Sequence, residues 1–356
     1  MPAISHEAGL IRGLEALDQA DLPVAGGKGA SLGAMLHAGL PVPEGFAVLT
    51  EAYWAFVRHN GFDEPVRHLV EDVAPDAPEA LADAAQALRD RFACGEIPVE
   101  VARAIAEAFE RLGGGLVVVR SSATAEDLPG ASFAGQHDSF LGIEGPEEVC
   151  DAVRRCWASL WNPRAVSYRK RVGLDSTDIA ISVVVQRMID ADRSGVLFTA
   201  NPLDHRRDRM LLSASFGLGE AVVGGDVSPD TWVMNRAGQV VEHHVADKQV
   251  MTVREGKGTA NRPMPEDRRR AVTLSDAEVA ALAELGGRAE GYFGSPQDLE
   301  WAIADGSIYL VQSRPITSLL PLPEPLPAPA DGLRLYLCCN VHAQQMVEPI
   351  TPMGID

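Results

Sequence analysis

The chain has 356 residues, of which 46% are hydrophobic and 23% are charged. This composition is that of a folded protein with one large core or two smaller ones, and it excludes a disordered or fibrous chain. Its 31 lysines and arginines are outnumbered by 50 aspartates and glutamates, and the resulting formal net charge of -19 argues against binding to nucleic acids or anionic membranes.

Neither a secretory signal nor a membrane-spanning segment is predicted from the sequence. No apolar run approaches the roughly 20 residues of a membrane-spanning helix, and the N-terminus lacks the basic patch and apolar stretch of a secretory signal. The five cysteines form no Cys-x-x-Cys pair, so neither a disulfide framework nor a zinc site is predicted. These features predict a cytoplasmic location.

The first third of the chain is predicted to be mostly helical. Apolar spacing and Gly or Pro boundaries predict one short strand over 46–49 and helices over 26–38, 50–60, 78–91 and 99–112. Thr50 is expected to be the N-cap of the second helix.

The pattern changes after residue 115. The apolar run 116–119 predicts a strand that leads into a polar loop, and a helix follows from Pro146 to residue 160. A later helix begins with a predicted capping box at Ser275 and Glu278. The remaining β-rich stretches are 181–186, 195–199, 210–215, 231–234, 298–304 and 308–313. This order predicts an α/β (α+β) fold of two lobes, with a boundary near residue 190 and a cleft between them.

The end of the chain differs from the rest. Residues 321–329 have proline at every odd position, which forces extended geometry and predicts a linker. Residues 331–356 are too short to fold alone, so the polypeptide is expected to be part of something longer. The predicted units are lobes 1–190 and 191–317, a Pro-rich linker 318–330, and the start of a following domain, 331–356.

Residues 26–31 (Gly-Gly-Lys-Gly-Ala-Ser) contain the first candidate motif. Glycines let the backbone approach an anion, and Lys28 at a helix start adds positive charge to the helix dipole. The run is not a Walker A motif, because Leu22 stands where that motif has glycine and Gly29 where it has Ser or Thr. A phosphate loop and a plain glycine-rich turn before a helix both fit.

Arg120 follows a predicted buried strand directly, in the run 120–127 (Arg-Ser-Ser-Ala-Thr-Ala-Glu-Asp). Its guanidinium is suited to bind an anion, whereas the alternative is a structural salt bridge to Glu126 or Asp127. Close by, the small-residue turn within 132–139 has backbone amides that could cap phosphate oxygens. A second glycine-marked stretch, 215–220, fits a mobile loop over a site as well as a surface turn.

Glu300 and Gln312 lie on two predicted strands joined at Asp305 and Gly306. A two-residue turn would place Glu300 and Gln312 on opposite faces, whereas a three-residue loop that includes Ser307 would pair them directly. In the second case Glu300, Gln312 and Arg314 share a face, which provides two oxygen ligands for Mg²⁺ beside a cation. In the first case the hairpin simply exposes polar residues. A metal site at these residues would therefore require the three-residue loop.

Taken together and in this order, these segments resemble the N-terminal nucleotide-binding domain shared by phosphoenolpyruvate synthases, pyruvate phosphate dikinases and rifampicin phosphotransferases. The resemblance covers about residues 20–317. It rests on residues 26–33, 43–46, 119–127, 132–136, 217–220, 298–301 and 312–315.

The resemblance implies an ATP-grasp fold, in which ATP lies in the cleft between lobes 1–190 and 191–317. Glu300 and Gln312 would hold Mg²⁺, and Gln186 would meet the adenine edge. As catalytic residues, Lys28, Arg120 and Arg314 would neutralise phosphate charge during transfer. The full ATP-binding set implied is Lys28, Arg120, Gly135, Ser139, Gln186, Glu300, Gln312 and Arg314.

In this family the ATP β-phosphoryl passes to a histidine on a separate swivelling domain, and the synthases and rifampicin enzymes release AMP and phosphate. That carrier motif, Thr-Ser-His or Thr-Cys-His after glycines, is missing from these 356 residues, where only His6 follows a serine. The chain is therefore expected to bind Mg-ATP as the ATP-binding portion of a longer dikinase-type phosphotransferase, with the phosphohistidine and acceptor-binding domains as partners.

Residues 340–354 resemble the start of the antibiotic-binding domain of rifampicin phosphotransferases. Rifampicin is therefore the first choice of acceptor, with antibiotic inactivation as the role, and pyruvate, the substrate of phosphoenolpyruvate synthases, is the main alternative. An alternative of another class is a non-catalytic nucleotide-binding module. Loss of Arg120, Glu300 or Gln312 would favour that alternative, and all three residues are present.

Overall fold

The computed structural model describes residues 9–73, 77–123, 139–171, 177, 179–225, 227–256, 258–320 and 322. Most of the predicted linker and the whole of 331–356 lie outside this part. Among the described helices, none combines the length and apolar character needed to cross a bilayer. The α-helices of the described residues are α1 (Leu22–His37), α2 (Thr50–His59), α3 (Asp63–Arg67), α4 (Pro78–Cys94), α5 (Val99–Arg111), α6 (Pro146–Ser159), α7 (Pro163–Arg171), α8 (Glu220–Gly224) and α9 (Asp276–Phe293).

Within the described residues the strands form two antiparallel sheets and one separate hairpin, so the fold is mixed α/β. The N-terminal sheet has the order β1-β2-β5-β3-β4, the C-terminal sheet the order β13-β12-β6-β7-β8-β9, and β10 pairs with β11. The strands are β1 (Ile11–Gly13), β2 (Gly45–Val48), β3 (Leu116–Ala123), β4 (Ser139–Glu144), β5 (Ile181–Arg187), β6 (Arg193–Phe198), β7 (Arg209–Phe216), β8 (Asp230–Asn235), β9 (Val240–His244), β10 (Val250–Glu255), β11 (Gly258–Pro263), β12 (Gln297–Ala304) and β13 (Ser307–Pro315).

One face of the N-terminal sheet is covered by helices α2 and α4–α7. Alternate residues of the buried strands point to this face, for example Val183 and Val185 of β5. Its packing is dominated by aromatic rings 4.8 to 6.4 Å apart, which bury large apolar areas. These rings belong to Tyr53, Phe56, Phe62, Phe92, Trp157 and Trp161.

A second apolar core joins the two sheets. Helix α1 packs on the other face of the N-terminal sheet, and its apolar side chains continue into the face of the C-terminal sheet that α9 covers. Because one continuous core contacts both sheets, packing fixes their relative position. Its members include Leu32, Met35, Val184, Trp232, Leu282, Leu299 and Trp301.

A fully buried ion pair anchors the start of β8. Lys248 Nζ donates to Asp230 Oδ1 at 2.6 Å, and both side chains have no exposed surface. The same carboxylate accepts hydrogen bonds from the Ala246 amide at 2.8 Å and from the Thr273 amide and hydroxyl at 2.9 and 2.6 Å. Four donors to one carboxylate compensate for its loss of water.

The structure confirms two of the predictions about helix starts and contradicts a third. The capping box at Ser275 and Glu278 is present at the start of α9, and Pro146 lies in the first turn of α6. The prediction of Thr50 as an N-cap is wrong. Leu49 occupies that position without a side-chain cap, because its amide donates to the Leu10 carbonyl at 2.9 Å and keeps it extended until the helix begins.

Candidate functional site

Arg120 connects the two sheets. It extends from β3, and its Nη2 donates to Glu300 Oε2 of β12 at 3.1 Å, while its Nη1 donates to the carbonyl oxygen of Val311 in β13 at 2.8 Å. The two side chains are 14% and 18% exposed. Because little water reaches this pair, its charges are screened less than those of a surface ion pair. Among the described residues, the ion-pair partner of Arg120 is therefore Glu300.

The hairpin that carries Glu300 has a two-residue turn. Ala304 pairs with Ser307, and the two residues between them, Asp305 and Gly306, have φ angles of 49° and 75°. Two successive positive φ angles are the signature of a type I′ turn, which Asp-Gly favours. The three-residue loop over 305–307, which a metal site was expected to require, is therefore not formed.

Glu300 nevertheless pairs directly with Gln312, because β13 contains a bulge. Trp301 pairs with Leu310 and Glu300 with Gln312, so that Val311 is an extra residue on β13. One extra residue reverses the alternation of side chains beyond it and brings Gln312 to the same face as Glu300. The carbonyl of this bulged residue is the one that binds Arg120.

Arg314 and Asp298 form the next cross-strand pair on this face. Arg314 Nε donates to Asp298 Oδ2 at 2.8 Å. Burial raises the pKa of Asp298, and the nearby Glu300 adds to this effect while Arg314 opposes it. Sequence reasoning did not select Asp298 as a site residue, although it lies two residues before Glu300 and so had to share its face. The face thus contains two carboxylates, one amide and one guanidinium.

The donor set fits a magnesium ion. The part of the chain that the structure describes contains no group of three or more His, Cys, Asp or Glu side chains that could hold a metal. Mg²⁺ in nucleotide sites needs fewer protein ligands, since it takes one or two protein oxygens and completes its shell with phosphate oxygens and water. Glu300 and Gln312 present such oxygens from facing positions.

Lys28 lies at a kink in α1. Gly26 has φ 68° and ψ 174°, which interrupts the helix and starts a new first turn that contains Lys28. This turn packs on β3, where Ser122 Oγ donates to the Ala25 carbonyl at 2.8 Å and accepts from the Gly29 amide at 3.1 Å. The glycine-rich run is thus a fixed turn at a helix start, the geometry that suits an anion.

Further along, α1 approaches the bulged hairpin. Ser31 Oγ donates to the Ser313 carbonyl at 2.7 Å. Residues three apart lie on the same side of a helix, so Lys28 is on the side of α1 that carries this contact. The glycine-rich run, β3 and the hairpin therefore meet in one region of the molecule.

The other predicted site residues lie on the N-terminal sheet or outside the described part. Ser139 is exposed on β4, directly opposite Arg120. Gln186 is buried on β5, and its Nε2 donates to the Pro43 carbonyl at 3.0 Å. Residue 184 pairs with Arg120, so Gln186 is on the same sheet face. Outside the described residues lie Gly135 and the two alternative salt-bridge partners predicted for Arg120, Glu126 and Asp127.

The glycine-marked stretch 215–220 is a buried junction rather than a surface turn. Gly217 has φ 86°, its amide donates to the Asp192 carbonyl at 2.8 Å, and its carbonyl accepts from Ser194 Oγ at 2.7 Å. The Leu218 amide donates to the Thr252 carbonyl at 2.9 Å. These bonds fix the exit of β7 between β6 and β10.

Comparison with known proteins identifies related chains. Residues 22–321 match the family model described as the pyruvate phosphate dikinase AMP/ATP-binding domain. A probable phosphoenolpyruvate synthase of Methanothermobacter thermautotrophicus is 45% identical over 86% of this chain and 46% of its own length. Rifampicin phosphotransferases of Streptomyces sviceus and Bacillus subtilis are 41% and 38% identical over 96% and 97% of this chain, which is 39% and 40% of their own lengths. The chain therefore spans less than half of each of these relatives.

Proposed function

The chain belongs to the family of pyruvate phosphate dikinase AMP/ATP-binding domains, and from this premise we propose that it is the Mg-ATP-binding part of a dikinase-type phosphotransferase. The proposed fold is an ATP-grasp, with lobes 1–190 and 191–317 and the nucleotide in the cleft between them. The observation that carries the proposal is the contact of Arg120 with Glu300, which brings a cation of one sheet to the carboxylate that faces Gln312 on the other.

In the proposed site, side-chain oxygens bind the metal ion and side-chain cations bind the phosphates. Glu300 and Gln312 would hold Mg²⁺, which when bound supplies positive charge to the phosphate oxygens. Lys28, Arg120 and Arg314 bind and orient the phosphates, and as catalytic residues they neutralise charge as it redistributes during transfer. Asp298 orients the Arg314 guanidinium through the 2.8 Å hydrogen bond to Nε.

The base and the remaining phosphate contacts are assigned to the N-terminal sheet. Gln186 would bind the adenine edge, and its amide is already oriented by the hydrogen bond to Pro43. Ser139, opposite Arg120 on β4, and Gly135 would contact phosphate oxygens. A hydroxyl and a backbone amide suit this role because both donate hydrogen bonds to anions.

For the whole protein, we propose transfer of the ATP β-phosphoryl to a histidine on a swivelling domain and from there to rifampicin, with release of AMP and with transfer of the γ-phosphoryl to water, which gives phosphate. The matches to rifampicin phosphotransferases extend over 96% to 97% of this chain and thus into its tail, whereas the match to the Methanothermobacter synthase covers 86%. The higher identity of that synthase, 45%, favours the second candidate, a phosphoenolpyruvate synthase acting on pyruvate.

Nucleotide-dependent stabilisation tests the proposal. Because the cations bind phosphates, the unfolding temperature should rise most with Mg-ATP, less with Mg-AMP and least with adenosine. Arg314→Ala should reduce the differences between these ligands. Equal shifts with all three would contradict the assignment of the cations to phosphates.

The acceptor is tested with the longer parent protein. AMP formation from ATP is measured with rifampicin or with pyruvate as the second substrate. AMP that depends on rifampicin supports the first candidate and AMP that depends on pyruvate the second. If no AMP is formed with either acceptor, the result would favour a nucleotide-binding module without this chemistry.

A further inference from the structure

Ser122 holds the two sides of the Gly26 turn together. Its side chain is fully buried, and its hydroxyl donates to the Ala25 carbonyl at 2.8 Å while it accepts from the Gly29 amide at 3.1 Å. Ala25 and Gly29 are separated along the chain by the turn and by Lys28. One hydroxyl of β3 therefore bridges the two ends of the α1 segment that carries Lys28.

The turn lies directly against the strand at this point. A Cβ atom at Gly26 would be 2.0 Å from the Ser122 carbonyl oxygen and 2.4 Å from its Oγ. Ala25 and Gly29 are themselves buried, so loss of the hydroxyl would leave a carbonyl and an amide without this partner and away from water. Such buried polar groups cost free energy unless the backbone moves to satisfy them.

Arg120 and Ser122 point to the same face of β3, because they are two residues apart on a strand. The strand thus carries one proposed phosphate ligand itself and fixes the backbone of another, Lys28. We propose that Ser122 is a positioning residue for Lys28. Ser122 holds the Gly26 turn at a fixed position relative to Arg120, so that both cations bind the same phosphates. This inference rests on the proposed function.

A double-mutant cycle tests the inference. Mg-ATP and adenosine are titrated into the wild type, Ser122→Ala, Lys28→Ala and the double variant. Loss of the hydroxyl should weaken Mg-ATP binding by about five- to tenfold, the effect of one hydrogen bond, and leave adenosine binding unchanged. Since Ser122 acts through Lys28, its replacement in the Lys28→Ala background should cost less than twofold.

Ser182→Ala is the matched control. Ser182 pairs with Ser122 across the β3–β5 ladder, is equally buried, and donates to the Val48 carbonyl at 2.9 Å instead of to the α1 turn. The Ser182→Ala variant should be less stable than the wild type but should bind Mg-ATP with unchanged affinity. If Ser122→Ala does not fold, Ser122→Cys, which has a similar shape and weaker hydrogen bonds, takes its place in the cycle.

The outcomes separate this inference from the proposed function. Unchanged Mg-ATP affinity in Ser122→Ala, an effect of the same size in the Lys28→Ala background, or an equal loss in Ser182→Ala would overturn the positioning role. If Lys28→Ala itself leaves Mg-ATP binding unchanged, or the wild type does not bind Mg-ATP, it is the proposed function that fails.

Discussion

Arg120 Nη2 lies 3.1 Å from Glu300 Oε2, and this contact joins residues 180 positions apart on two different sheets. The cation proposed to bind phosphate and the carboxylate proposed to bind magnesium are thus in direct contact. Replacement of either residue leaves the other charge partly buried without its partner. The effects of Arg120 and Glu300 variants on ligand binding should therefore depend on each other.

Deletion of Val311 should weaken Mg-ATP binding while the hairpin remains paired. Without the extra residue the ladder becomes regular, and Gln312 still follows Leu310 opposite Glu300. Arg120 loses the carbonyl that it binds at 2.8 Å, so we expect a loss of about fivefold, the effect of one hydrogen bond. Calorimetry measures the affinity, and an unchanged affinity would show that the bulge carbonyl does not orient Arg120.

Gly26→Ala should reduce both stability and Mg-ATP affinity. Its φ of 68° is strained for alanine, and its Cβ would be 2.0 Å from the Ser122 carbonyl. We expect a stability loss of about 1–3 kcal/mol and a clear loss of Mg-ATP affinity. Gly61→Ala is the control, since Gly61 has a similar φ of 65° but no atom within 4 Å of an added Cβ. If both variants bind Mg-ATP equally, the position of the turn does not matter for binding.

The start of α9 should contribute pH-dependent stability. Burial opposes ionisation of Glu278, but hydrogen bonds from Ser275 and the Arg193 ion pair outweigh it and lower its pKa below the ordinary 4.5. This stability is therefore fully present above pH 4.5 and is lost as the pH falls through the lowered pKa. Urea unfolding of the wild type and Glu278→Gln should show a difference at neutral pH that shrinks in acid. A constant difference would mean that the charge of Glu278 is not involved.

Lys248→Met should be strongly destabilising, because it leaves the Asp230 carboxylate buried without its countercharge. Breaking a buried pair in this way costs about 3–5 kcal/mol. Asp230→Asn in the same chain removes the charge and should recover part of the loss. Urea unfolding measures both variants. A double variant no more stable than Lys248→Met would show that hydrogen bonds to Asp230, and not its charge, dominate.

The sequence predicts the elements around the site better than the details that align them. Apolar runs and Gly or Pro boundaries locate the start of the strand that carries Arg120 and both strands of the Glu300 hairpin, because these signals are local. The prediction that this strand ends at residue 119 is wrong, since β3 continues to Ala123 and its polar residues pair with β5. The bulge at Val311 is not predicted from such patterns. Its carbonyl binds Arg120, which lies 191 positions away in the chain, so the contact that uses the bulge is tertiary.

The same distinction applies to Ser122 and to Thr50. The glycine-rich run indicates a turn before a helix, but Ser122, which fixes that turn, is 93 positions from Gly29 and is found only when the chain is folded. Threonine is a residue type that often caps helices, yet the hydrogen bond from the Leu49 amide to the Leu10 carbonyl moves the N-cap from Thr50 to Leu49. Tertiary hydrogen bonds of the backbone override local residue preference at such positions.

The most direct test of Mg-ATP binding across the two sheets is a calorimetric titration with ATP, with and without Mg²⁺. The wild type should bind ATP more tightly with Mg²⁺, and Glu300→Ala should lose that dependence. Arg120→Ala should weaken binding about tenfold or more, since it removes charge-assisted hydrogen bonds. Arg193→Ala, which breaks the similarly half-buried pair with Glu278, should not weaken binding. No measurable binding, or equal affinities in the wild type and all three variants with and without Mg²⁺, would contradict the account.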